Sequence, residues 1–261
     1  EKNVQEKKDE IVAGLQNAMA EIIRKDSFMV SYTGERESVE QVKTLSGALK
    51  KSLPESTCEV PETAIICRKK NEGFKTSGQV QYVARTGNFV KKGFTYTGAL
   101  EILKVALSYD YLWINVRVKG GAYGVMNGAG RFGDSYFVSY RDPNLAKTYD
   151  IYTDAAAYVQ SLELDERELT KYIIGAIGAI DTPMTASMKG SRSLAAYLGE
   201  RSFEQIQKNR DELLSTTVED LRKLSGAVAA ITEAGHICVI GSESKITEEK
   251  ERFEHVEQLI Q

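Results

Sequence analysis

An apolar run spaced for a helix ends on two adjacent glycines, and the pattern beyond them changes period. No other junction constrains the chain as much. Leu100, Leu103 and Leu107 recur three and four residues apart, flanked by Ile102, Ala106 and Trp113, which is the spacing that lines one face of an α-helix. The run continues into Tyr111-Leu-Trp113-Ile-Asn-Val-Arg117-Val-Lys-Gly120-Gly121-Ala-Tyr123-Gly124. After it, Tyr123 to Ala129 and Ser135 to Tyr140 alternate as strands around Gly130-Arg-Phe-Gly133, which predicts an antiparallel pair. A cation, a double glycine and a tyrosine therefore share one turn. Two readings stay open on these residues alone. In one, Gly120 and Gly121 strip side chains from the backbone so that another chain approaches it, with the Arg117 guanidinium and the Tyr123 phenol on either side. In the other, Arg117 and Lys119 are cations at a helix C-terminus, one glycine is its left-handed cap, and Tyr123 opens the next strand.

The rest of the pattern is that of an α/β chain. Residues 3 to 25 predict an amphipathic helix with Ile11, Leu15, Met19, Ile22 and Ile23 on one face. A strand follows at Phe28 to Thr33, then a helix from Ser38 to Leu53 that Pro54 closes. Ala64 to Cys67 and Gln79 to Ala84 read as strands, with Asn71-Glu-Gly73 as a turn. Asp142-Pro143 carries a helix-start signal. Helices are expected over Ala146 to Leu162, over Asp165 to Ile180 with Asp165 capping, over Ser187 to Glu200, and over Phe203 to Leu214. Gly175 and Gly178 in the second of these suggest close helix packing. A long helix from Thr217 to Ala234, a strand at His236 to Ile240 and a helix from Thr247 to Ile260 complete the chain. Helix, short strand, glycine and charged helix thus occur at both ends, a weak internal repeat. The charged opening Glu1-Lys-Asn-Val lies inside a helical pattern, as expected of a piece of a longer protein.

Composition excludes several functions. The formal charge is −3 over 261 residues, and no basic stretch is interleaved with aromatics, which argues against nucleic acid. No run has the apolar length to span a bilayer. Cys58, Cys67 and Cys238 are odd in number and far apart, the pattern of a reducing compartment and of neither a disulfide framework nor a zinc knuckle. Catalytic zinc needs three ligands and a base, but the two histidines, His236 and His255, stand outside any such motif. No nucleophile elbow occurs, and Cys238 with His236 lacks an orienting group. Gly128-Ala-Gly130-Arg-Phe-Gly133 has dinucleotide-loop spacing but lies between strands, where no helix follows to hold a phosphate.

The run LWINVRVKGGAYGV, with Ser139-Tyr-Arg141-Asp-Pro143-Asn after it, resembles the C-terminal part of the presequence protease branch of the insulinase (M16) zinc metallopeptidases, or peptidasomes. The likeness covers most of residues 75 to 241, including Val80-Gln-Tyr-Val-Ala, Ile180-Asp181 and Lys189-Gly190. It implies an α/β (α+β) module with a mixed, mostly antiparallel sheet and helices packed on one side. Residues 1–57 would be the tail of a preceding module and 58–261 the C-terminal domain.

In that family the zinc motif sits in the N-terminal half, and the C-terminal half contributes an arginine and a tyrosine. The matching positions are Arg117 and Tyr123, expected to contact the substrate carbonyl and the transition state, with Gly120 and Gly121 as substrate-binding backbone. The resemblance implies a metalloendopeptidase that encloses and degrades unfolded peptides. Its zinc would be ligated outside this chain, its partner would be the zinc-bearing N-terminal half, and the isolated chain would be inactive. No nucleic-acid or membrane partner is implied. The setting would be bacterial cytoplasm or, alternatively, a mitochondrial matrix or other organelle. A non-catalytic partner subunit, a structural scaffold and an unrelated α/β binding domain are the alternatives. Arg141 and Asp142 read as an architectural lock in a strand-to-helix turn.

Overall fold

The computed structural model of the chain describes residues 2–55 and 70–259. The strand expected at Ala64 to Cys67 lies outside the described residues. The chain divides into two compact units, Glu1–Ile66 with Pro183–Ser202, and Cys67–Thr182 with Phe203–Gln261. In chain order the elements begin with α1 (Lys2–Glu6), α2 (Lys8–Ile22), α3 (Val39–Ser52), β1 (Glu72–Thr76) and β2 (Gln81–Asn88). Next come α4 (Ala99–Ala106), a π-helix (Leu107–Val118), β3 (Gly124–Ala129), β4 (Asp134–Asp142), α5 (Ala146–Gln160) and α6 (Glu166–Ile180). The last are α7 (Ala186–Leu198), α8 (Phe203–Leu214), α9 (Val218–Lys223), α10 (Ser225–Glu233), β5 (His236–Ser242), α11 (Glu243–Glu248) and β6 (His255–Gln258).

The first unit is helical, built from α1, α2, α3 and α7, and none of its described residues is buried. The helix expected over 3–25 is interrupted at Lys7, and the predicted apolar face of α2 is exposed, Leu15 at 62% and Ile22 at 72%. The strand expected at Phe28 to Thr33 does not form. Among the described residues it has no ladder partner, and Met29, Val30 and Tyr32 are exposed.

The second unit carries a six-stranded mixed sheet in the order β3-β4-β2-β5-β1-β6. The β3–β4, β4–β2 and β2–β5 pairs are antiparallel; β5–β1 and β1–β6 are parallel. Strand alternation decides which face is buried. Val83, Phe137 and Val239 point into the core with Leu103, Leu112, Tyr149 and Tyr152 of the covering helices, while Tyr82, Met126, Tyr136 and Ile240 are exposed on the opposite face. The architecture is the expected one, an α/β module with a mixed sheet and helices on one side. Gly87 is required where β2 meets α10, because a Cβ there would lie 2.6 Å from the Ile231 Cα. The buried tyrosines of α5 donate to strand carbonyls, Tyr149 to Ala84 and Cys238, and Tyr152 to Val83.

Four expectations change. Asn71-Glu-Gly73 is not a turn but leads into β1: the Asn71 carbonyl accepts from the Glu254 and His255 amides, and the missing side chain of Gly73 leaves room for Ile246 and Phe253. The helix expected from Thr247 to Ile260 is replaced by α11, one 3₁₀ turn at Lys250–Arg252, and β6. Phe253 takes extended backbone to bury its ring, and the residues after it pair with β1. The helix expected over Thr217 to Ala234 breaks between α9 and α10 at Leu224. In α6, capped as expected by Asp165 with Glu168 in a reciprocal box, the glycines are not at a tight contact. A Cβ at Gly175 would meet only Val105 at 3.7 Å, and one at Gly178 nothing within 4 Å. Among the described residues the first predicted unit lacks its strand and the second its closing helix, so the two do not repeat one another.

Candidate functional site

The central helix changes winding where the site begins. Up to Ala106 it is an α-helix; from Leu107 to Val118 it is a π-helix, a form found mostly as single-turn bulges at functional sites. The buried positions record the change: Leu107, Tyr111, Leu112 and Val116 face the core, four and five residues apart where an α-helix would use three and four. The ending is widened in the same sense. A Schellman cap closes with bonds spanning five and three residues. Here the Ala122 amide donates to Val116, six residues back (116 to 122), and the Gly121 amide to Arg117, four back (117 to 121). Gly121 sits at φ +82°, the left-handed region that suits glycine, and a Cβ on Gly120 would overlap the Val116 carbonyl. The helix ending alone accounts for both glycines.

A second motif holds this ending from behind. Asp142, expected to cap the following helix, is instead fully buried before it, and α5 starts at Ala146 with no side-chain cap. Its Oδ2 accepts from Ser139 Oγ (2.7 Å) and Thr148 Oγ1 (2.8 Å), and its Oδ1 from the Asn144 amide (2.9 Å). Asn144 Nδ2 then donates to the Gly120 carbonyl at 2.6 Å, and Gln81 Nε2 to the Asp142 carbonyl at 3.0 Å. A Cβ on Gly121 would touch Pro143. The run Ser139 to Asn144 is the seat of the Gly120-Gly121 turn. Asn144 is the residue that pattern reading missed; its place two after Asp142 in that run was the available signal.

What the two motifs expose is a shallow cleft lined by Trp113, Arg117, Val118, Gly121, Ala122, Tyr123 and Arg141. Arg117 and Tyr123 are thus brought together on one surface. The Arg117 guanidinium stacks on the Trp113 ring, 3.7 Å from its centroid, an arrangement that favours Arg over Lys. Tyr123 is 59% exposed, its ring edge-on to Tyr140 at 5.4 Å, with the Arg141 guanidinium 5.6 Å over its face. Among the described residues no carboxylate lines the cleft. Below it, Tyr111 donates to the Ile151 carbonyl at 2.7 Å and stacks on Tyr158; burial pushes its phenol up to about 12. Arg141 and Asp142 part company here. Asp142 is an anchor, whereas Arg141 is exposed and adopts φ +48°, left-handed for a side chain that pays for it.

The remaining candidates do not assemble. Gly128 to Gly133 belongs to the β3–β4 hairpin, whose turn the Gly130 amide closes by donating to the Asp134 carbonyl at 2.6 Å. Burial and the Glu72 carboxylate push the Cys238 thiol up, away from the nucleophilic thiolate. His236 opens β5, and His255 on β6 lies 3.2 Å from Glu257. Among the described residues no group of three or more His, Cys, Asp or Glu is placed to hold a metal ion. These residues do not fit a catalytic zinc. Among them, too, no helix is long and apolar enough to cross a membrane.

Comparison with known proteins gives the chain its relatives. Residues 71–243 match a family model described as the PreP C-terminal domain. The chain is 39% identical over 256 residues to Protein HypA of Clostridium perfringens, covering 98% of this chain and 26% of that protein. It is 30% identical over 252 residues to presequence protease 1, chloroplastic/mitochondrial, of Arabidopsis thaliana, covering 94% and 23%. The chain thus spans about a quarter of the length of these relatives. Its fold is similar to the crystal structure of a peptidase M16 inactive domain from Pseudomonas fluorescens, with a TM-score of 0.53 at 13% identity over 87% of this chain and 52% of that one.

Proposed function

The chain belongs to the presequence protease C-terminal domain family, the C-terminal portion of M16-type peptidases, and on that premise we propose that it is the substrate-contacting end of a zinc metalloendopeptidase that encloses unfolded peptides and cuts them. The observation that carries this reading is the shared cleft of Arg117 and Tyr123, with the phenol exposed beside a side-chain-free backbone at Gly121. The Tyr123 hydroxyl donates a hydrogen bond to the carbonyl oxygen at the scissile bond and to the negative charge that develops on it. Arg117, held flat by Trp113, grips a neighbouring substrate carbonyl. Gly121 lets the peptide backbone approach, and Gly120 shapes the turn behind it. One donor aimed at a developing oxyanion is worth about 10²–10³ in kcat.

Zinc activates water in such enzymes. Its ligands belong to the N-terminal, zinc-bearing half of the longer protein, so this chain alone does not hydrolyse peptides. Residues 1–57 are the tail of the preceding module and 58–261 the C-terminal domain. The higher identity to the Clostridium relative favours a bacterial cytoplasm over an organelle.

Peptide cleavage by a mixture of this chain with a separately produced zinc-bearing half tests the proposal. Activity should require both pieces, and Arg117→Ala and Tyr123→Phe should each lower it by about a hundredfold or more. A well-folded complex in which both variants cut as fast as wild type would overturn it.

A further inference from the structure

Two guanidiniums line the cleft, and the proposal above uses one. Arg141 follows Tyr140 at the end of β4, held by an anchored neighbour: Asp142 fixes the backbone on one side and Tyr123, whose amide donates to the Arg141 carbonyl at 3.3 Å, crosses it on the other. The backbone is left-handed at φ +48°, a conformation that glycine or asparagine takes at less cost. Strain of this kind persists where the surroundings over-determine it, and it collects at functional sites. It places the guanidinium over the face of the exposed tyrosine, and neither Arg141 nor Arg117 makes an ion pair among the described residues. The two guanidiniums share a cleft whose lining, among the described residues, includes no acidic side chain.

We propose that Arg141 is a specificity-determining residue that, with Arg117, binds a carboxylate of the peptide seated on Tyr123. The inference rests on the reading of this cleft as the peptide site. The carboxylate has two possible sources, the peptide C-terminus and an aspartate or glutamate side chain. The planar fork of Arg suits either, and the cleft's exposure to water sets a modest, salt-sensitive preference.

The test uses the intact enzyme containing this chain and four versions of one peptide: free or amidated at the C-terminus, each with Glu or Gln at one internal position. Wild type should show a KM roughly three- to tenfold lower for the version carrying the recognised carboxylate, with kcat nearly unchanged. The difference should shrink as salt is raised. Arg141→Gln should abolish the preference while leaving kcat in place, and Arg141→Lys should restore part of it; a merely structural arginine would do neither. The pair that differs in KM identifies the source. Equal KM values for all four peptides in wild type, or an undiminished preference in Arg141→Gln, would overturn the inference. Failure of the cleavage reading has a separate signature, in which Tyr123→Phe leaves kcat unaltered on every peptide. Trp113, the single tryptophan, then supplies a second readout on this chain: its fluorescence should respond to the recognised peptide in wild type and not in Arg141→Gln.

Discussion

Replacing Asp142 with alanine should cost the sheet unit about 3 kcal/mol. The carboxylate is fully buried and accepts hydrogen bonds from Ser139, Thr148 and the Asn144 amide. Hydrogen bonds to a charged group contribute roughly 1.5–3 kcal/mol each. Returning a carboxylate to water recovers several kcal/mol of that gross gain. Against this recovery, the variant leaves an amide and two hydroxyls buried with their partner gone, at roughly 1–3 kcal/mol apiece where they find no substitute. The net loss is about 3 kcal/mol, and about half that for Asp142→Asn, which keeps one acceptor oxygen. At roughly 2–4 °C per kcal/mol for a domain of this size, the alanine variant should melt about 6–12 °C lower. Urea unfolding at unchanged m-value measures the difference. Arg141→Ala is the matched control and should lose less than about 1 kcal/mol, since among the described residues its guanidinium makes a ring contact and no ion pair. An Asp142→Ala loss below about 1 kcal/mol, or an Arg141→Ala loss equal to it, would refute the division of labour between these neighbours.

Glycine substitutions should differ in sign along the chain. Gly121→Ala forces a Cβ onto φ +82° and should destabilise by about 1–2 kcal/mol, whereas Gly178→Ala in α6, with open space around it, should stabilise by roughly 0.5–1 kcal/mol; melting temperatures decide both. Tyr111, whose phenol burial pushes up to about 12, is favoured in its neutral form by the fold. Its contribution to stability is therefore complete below its unfolded value near 10 and is lost as pH rises from 10 to 12. Tyr111→Phe should flatten that alkaline limb of the unfolding free energy while costing about 1 kcal/mol for the hydrogen bond to Ile151. Phe253→Ala should cost about 3–4 kcal/mol and speed amide exchange in β6, because the ring is buried against Gly73 and Ile246 where the last strand joins.

Much of the fold was legible because local pattern and tertiary context agreed. The β3–β4 hairpin, α5, α6 with its Asp165 cap, and β5 all follow from period and punctuation. The errors come where a long-range partner outvoted local signals. Asn71-Glu-Gly73 has turn chemistry, yet its glycine serves a neighbouring ring and its asparagine a neighbouring strand. Thr247 to Ile260 has helix composition, yet burial of Phe253 and an open edge on β1 turn its last residues into a strand. Phe28 to Thr33 shows the reverse, strand composition with no ladder partner among the described residues. At the site, the left-handed glycine was readable from type and spacing, while Arg117 and Tyr123 were singled out through the family resemblance and lie in one cleft. Asp142 was read rightly as architecture and wrongly as a cap, because a buried anchor and an N-cap share the same sequence, Asp-Pro, and only burial tells them apart. The π-winding left a trace that could have been counted, the four- and five-residue intervals between Leu107, Tyr111, Leu112 and Val116.

That winding bears on how the chain tolerates change in length. A π-turn holds more residues per revolution than an α-turn, so this helix carries slack that ordinary helices lack. Losing one residue between Tyr111 and Val116 would let the segment tighten to α form with its core contacts still in phase, and the fold would survive. Arg117, next to Val116, would keep its direction, but with the lost residue taken from after Trp113 it would stand three residues from that ring instead of four and come off its face. Insertions and deletions here act as a dial on the cleft while the scaffold stays still, and related chains that differ by one residue in this turn should share the sheet and not the chemistry.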